Sequence, residues 1–252
     1  MAVNENFMSA PAAVSDTAAK RAREKRFYLS IGILFPLVIV AGFARSYYLR
    51  FAFDDVPPIP SLLVHVHGAV MTAWVLLFTT QILLARTKRI KMHMTLGLAS
   101  IALAVLMVVV GYFTAAASAR RIGLETESNG MPAITFLVIP LADLVTFSVV
   151  YAAAIMRRKR SADHKRLMLL TAINFLPPSL GRMQFAASLG PLWFIGVPVV
   201  LFIAAVAYDR YRNGKFNRAM VAATVFLLVS IPLRFAVAGT EAWRQFAYWI
   251  AG

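Results

Sequence analysis

Seven stretches of mostly apolar residues constrain this chain more than any single residue does. They lie at about 27–44, 61–85, 94–117, 131–156, 167–187, 192–208 and 219–238. A bilayer core about 30 Å thick needs roughly 20 apolar residues of helix, whereas a membrane strand needs about 10. Every backbone polar group in lipid must be satisfied internally, so runs of this length predict helices. The expected fold is all-α: a polytopic membrane helix bundle of about seven transmembrane helices. Prolines interrupt the pattern at Pro36, at Pro177 and Pro178, and at Pro232. A closing stretch, 241–252, carries Trp243, Phe246, Tyr248 and Trp249. It is too short to span and predicts an interfacial helix with aromatic anchors. Residues 1–26, rich in Ala, Ser and charge, predict a disordered basic tail. The organisation is thus a tail over 1–26, a helical domain over 27–240 and an interfacial end.

Charge adds an orientation. The chain has 26 Lys and Arg against 11 Asp and Glu, a net charge of +15. In a soluble protein this excess suggests nucleic acid. Here the basic residues fall between apolar runs, so the expected partners are anionic lipid headgroups and other membrane-protein subunits, not nucleic acid. Placing the N-terminus in the cytoplasm collects four groups on one side: Lys20 to Arg26, Arg86 to Lys91, Arg157 to Arg166 and Arg210 to Arg218. They hold 19 of the 26 basic residues, against 5 on the other side. The N-terminus is therefore expected inside and the C-terminus outside, in a bacterial inner membrane. The chain has no cysteine, which excludes disulfides and thiolate metal sites. There is no HExxH or GxSxG motif and no phosphate-binding Gly-rich loop. No mid-span Lys offers a retinal Schiff base.

Polar residues inside a span cost a few kcal/mol each, so they mark candidate sites. His67, Met71, Trp74, Phe78 and Gln81 recur at helical spacing and form one stripe on the second span. The stripe is too polar to prefer lipid and is expected to face the bundle. Asp143 is about 18 Å into the fourth span, near the bilayer middle. Arg182 in the fifth and Arg234 in the seventh lie at comparable depths, and Asp143 with Arg182 is the favoured ion pair. Such a pair can simply hold helix register. Alternatively, two Arg against one Asp leave a positive charge that an acidic, quinone-like ligand could neutralise. That ligand pocket would comprise His67, Trp74, Gln81, Asp143, Arg182 and Arg234.

The four histidines divide by topology. His65 and His67 lie near the outer end of one helix, two residues apart, and their directions differ by about 200°, so they cannot be axial ligands to one haem. His93 and His164 begin two different outward-going helices, each after a basic run. They can ligate one b-type haem, with Lys91, Lys165 and Arg166 near its propionates. They can equally sit at the interface among the basic residues, or join another metal with Asp163.

The segments His67-Gly-Ala-Val-Met-Thr-Ala-Trp74 through Gln81, then His93-Met-Thr-Leu-Gly97, then Asp163-His164-Lys-Arg-Leu-Met168 carry a resemblance. Over about residues 60 to 185 the chain resembles a group of uncharacterised bacterial multi-pass membrane proteins with His-bearing helix hairpins. Similar hairpins occur in cytochrome oxidase assembly proteins and in b-type cytochromes. The expected function is a redox-associated membrane protein binding one haem or a quinone-like acidic ligand. The competing readings are a non-catalytic accessory or assembly subunit, and a small-solute transporter with proline-broken helices.

Overall fold

A computed structural model describes residues 10–128 and 130–252. It is all-α apart from a two-residue hairpin. The helices are α1 (Ala10–Phe43), α2 (Leu62–Arg86), α3 (Ile90–Ile122), the single turn α4 (Ala133–Phe136), α5 (Val138–Met156), α6 (Ser161–Asn174), the turn α7 (Pro177–Leu180), the turn α8 (Pro191–Phe194), α9 (Gly196–Asn213), α10 (Arg218–Ala238) and α11 (Glu241–Ala251). The hairpin pairs Glu127–Ser128 with Met131–Pro132. Six helices are long and apolar enough to cross a membrane: Ala22–Tyr48, Leu62–Arg86, Ile90–Ile122, Ala133–Met156, Leu192–Asn213 and Arg218–Ala238. Their outward faces are apolar, with Leu34, Leu37, Leu98, Val105, Val200 and Val229 all exposed. A water-soluble monomer rarely leaves so much apolar surface uncovered. This arrangement is compatible with a multi-pass membrane protein.

Two expectations change. Residues 10–26, expected as disordered tail, are helical and begin α1, while residues 1–9 lie outside the described residues. Ala, Lys and Arg are good helix formers, and a helix already required by the apolar run extends through them. The fifth stretch, expected over 167–187, is not one helix. α6 ends at Asn174 because Pro177 and Pro178 cannot donate to the carbonyls of Ile173 and Asn174. The last bonds tighten instead, with Phe175 N–H donating to Ala172 at 3.2 Å and Leu176 N–H to Ile173 at 3.1 Å.

Polar contacts define the two ends of the bundle. At the basic end Lys165 pairs with Glu24. Arg166 meets Asp209 at 2.6 Å, and Asn217 donates to Asp163 at 2.7 Å. The start of α6 is thereby tied to α1, to α9 and to the cap of α10. Asn217 also caps α10 by accepting from Met220 N–H at 2.9 Å. At the opposite end α11 closes the bundle. Trp243 and Ala247 are buried, and the Trp243 indole donates to the Ile134 carbonyl at 2.9 Å. The larger hydrophobic core lies between α1, α2, α5, α6, α9 and α10, around Phe35, Phe78, Leu167, Leu170, Met220 and Leu227.

Candidate functional site

The foot of α2 and the starts of α3 and α6 meet at the basic end. His93 and His164, expected on different helices at one end, are neighbours. Their ring centres are 6.3 Å apart and their planes cross at 86°. His164 Nδ1 lies 2.9 Å from the Ala154 carbonyl of α5. His93 Nδ1 lies 3.3 Å from the Gln81 carbonyl of α2. A carbonyl only accepts, so each Nδ1 carries the proton and donates it. In a neutral ring the lone pair is then on Nε2. Both rings are half-buried.

Gly97 follows His93 by one helical turn, on the same face. A Cβ placed there meets nothing but the Gln81 amide nitrogen, at 3.8 Å. Beside His93 there is thus a gap where other residues would carry a side chain. The Gln81 amide at its edge is buried, and neither its nitrogen nor its oxygen has a hydrogen-bond partner among the described residues. An unsatisfied buried amide is costly, and this one borders the gap.

The stripe on α2 faces the bundle as expected. Trp74 is buried, with its ring centre 5.1 Å from that of Phe147 and 5.4 Å from that of Tyr151. His67 Nδ1 and the Trp74 indole nitrogen, like the Gln81 amide, lack partners among the described residues. The six residues expected to line one ligand pocket instead fall into three places. His67, Trp74 and Gln81 lie along α2. Asp143 pairs with Arg234, not Arg182, at 2.6 Å. Asn174 supports that pair by donating to the Asp143 carbonyl at 3.4 Å, and Thr146 donates to Asn174 Oδ1 at 3.4 Å.

Arg182 is elsewhere because the chain turns away at Pro177 and Pro178. Its guanidinium lies 4.6 Å from the centre of the Phe43 ring and donates to the Pro178 carbonyl at 2.7 Å. Two of the three residues expected near haem propionates are also engaged, Lys165 by Glu24 and Arg166 by Asp209. Lys91, the third, is exposed.

Sequence reasoning missed three contributors. Tyr151 and Ser100 share a 2.6 Å hydrogen bond between α5 and α3, below Trp74. Nothing in their spacing signals it. Gly97 was visible as the end of His93-Met-Thr-Leu-Gly97, but its use as open space depends on the helix packed opposite.

Among the described residues no group of three or more His, Asp or Glu side chains is placed to hold a metal ion. Comparisons with protein-family models, with curated proteins and with solved structures give no match.

Proposed function

We propose that this chain is a redox-associated integral membrane protein that holds one b-type haem between His93 and His164. The observation that carries the reading is the neighbouring imidazole pair, 6.3 Å between ring centres, with both Nδ1 atoms against backbone carbonyls. An iron–imidazole bond of about 2 Å, with about 1.1 Å from nitrogen to ring centre, counted on both sides, spans about 6 Å. The observed 6.3 Å between centres suits that span. Once bound, haem supplies one-electron chemistry; the residues supply geometry. The Gln81 and Ala154 carbonyls orient the two rings and raise their basicity. Gly97 leaves room beside His93. The Gln81 amide offers a donor to an anionic edge group, and Lys91 a charge.

The test is the visible spectrum of protein purified from haem-replete cells. A Soret band that shifts on reduction is expected for the parent. His93→Ala and His164→Ala should each lose at least about 90% of it, the loss of one axial ligand in a two-ligand site. Gly97→Phe, which leaves both ligands in place, should lower haem content while the protein stays folded. A folded parent that carries no haem and takes up none when hemin is added would refute the reading.

The membrane reading is a seven-pass chain in a bacterial inner membrane. Six passes are the long helices, and the seventh is the broken segment of α6 and α7. It is supported by the antiparallel tie of Arg166 at the start of α6 to Asp209 near the end of α9. With the basic end in the cytoplasm, a periplasm-active reporter fused after Gly252 should be active, and a cytoplasm-active one silent. The reverse pattern would remove the seven-pass topology.

A further inference from the structure

The end of the bundle opposite the histidines contains a cavity of about 540 Å³. It lies between the last turns of α1 and the segment following α7, within the size range of small-molecule sites, about 300–1,000 Å³. Leu37, Val38, Ala41 and Phe53 supply apolar wall, and Arg45 and Arg182 supply the charge. The two arginines differ. Arg45 is paired with Asp55 and packs over the Phe53 ring at 4.8 Å. Arg182 has no acidic partner among the described residues. It has one carbonyl and the face of Phe43. Arg182 is exposed at the cavity wall, and a guanidinium there with no counter-charge among the described residues is free to take an anion from the bilayer side.

The wall also says what the anion is attached to. Leu37, 58% exposed, belongs to the outward apolar face of α1 together with Ile33, Leu34 and Val40. The mouth of the cavity therefore opens on the surface that faces lipid, and its occupant enters from the bilayer. Arg182 lies beside Phe43, five residues before the end of the candidate span Ala22–Tyr48. That is the level of headgroups rather than of the bilayer middle.

We infer that this cavity is a binding site for an anionic amphiphile, a carboxylate or phosphate headgroup on an acyl chain. Arg182 takes the headgroup and the α1 wall takes the start of the chain. A bidentate guanidinium contact with a carboxylate or phosphate is the natural pairing. The site is separate from the histidine pair and does not depend on haem.

Native mass spectrometry of the full-length, delipidated protein tests this, with phosphatidylglycerol, phosphatidylcholine and oleate as probes. One equivalent of phosphatidylglycerol or of oleate should bind at least about tenfold more tightly than phosphatidylcholine. Binding of the first alone identifies a phospholipid site, of the second alone a free-acid site, and of both a site for the shared chemistry. Arg182→Gln should reduce the preference to below about twofold, while Arg182→Lys retains part of it. Ala41→Phe keeps the charge but fills the cavity, and should also abolish binding; it decides the matter if Arg182→Gln does not fold. Equal binding of all three probes by the parent, or parent-like binding by both the folded Arg182→Gln and Ala41→Phe proteins, would overturn the inference.

Discussion

Asp143→Leu is expected to destabilise the protein by about 3–5 kcal/mol, because it leaves the Arg234 guanidinium in an apolar bundle without its counter-charge. The two side chains are each about one-tenth exposed and 2.6 Å apart. Arg234→Leu should cost a similar amount by stranding the carboxylate. The informative protein is the double variant, Asp143→Leu with Arg234→Leu. It buries no charge and should be less destabilised than the two single changes together, by about 2 kcal/mol or more. Reversible unfolding in mixed micelles measures all four corners of the cycle. Strict additivity would show that the two residues do not interact. Arg182→Leu is the control: it does not touch Asp143 and should add independently to either single change.

Gly42→Val should be as damaging, for a steric reason. Gly42 is buried on α1 where α7 crosses it, and a Cβ there would overlap the Ser179 carbonyl group and hydroxyl. The obstacle includes backbone, so no rotamer change relieves it. Ser179 seals the same contact by donating its hydroxyl to the Val38 carbonyl at 2.6 Å. Close approach at a small residue is how helices associate in lipid, where burial from water gives no driving force. A loss of about 3 kcal/mol or more is expected for Gly42→Val. Gly196→Ala should change stability by less than about 0.5 kcal/mol, since a Cβ there meets nothing within 4 Å. Thermal unfolding of the two variants beside the parent checks both. A parent-like Gly42→Val protein would mean that α1 and α7 are not in contact.

What was legible in the chain was what hydropathy records along one dimension. Five expected spans correspond to single long helices or to a helix with a short leading turn, within about five residues at each end except that α1 begins at Ala10, well before the expected 27. The sixth, expected over 192–208, corresponds to α8 and α9. The proximity of His93 and His164 followed from counting passes, because both begin helices that leave the same end. The partner of Asp143 was not legible. Depth alone left Arg182 and Arg234 equivalent, and the choice depended on where the chain points after two consecutive prolines. Apolar content hid the same break: residues 167–187 read as one span, yet a helix cannot run through Pro177 and Pro178 without losing two bonds in succession. The cavity at Arg182 was invisible for a related reason. Arg45 and Phe53 come from a connection that hydropathy passes over, and they face Arg182 only because α7 turns it toward α1.

The polar start of α6 has a consequence for how the protein is made. Asp163, His164, Lys165 and Arg166 occupy its first turns, and it is not among the six helices fit to cross a bilayer unaided. One of its partners, Glu24, is synthesised earlier, but Asp209 and Asn217 are translated some forty to fifty residues later. When α6 leaves the ribosome, Arg166 has not yet met its counter-charge Asp209, nor Asp163 its hydrogen-bond donor Asn217. The insertion machinery therefore receives a segment whose placement is completed only after α9 and α10 have been delivered. Assembly order, not the hydrophobicity of α6 itself, then sets whether this part of the chain reaches its place.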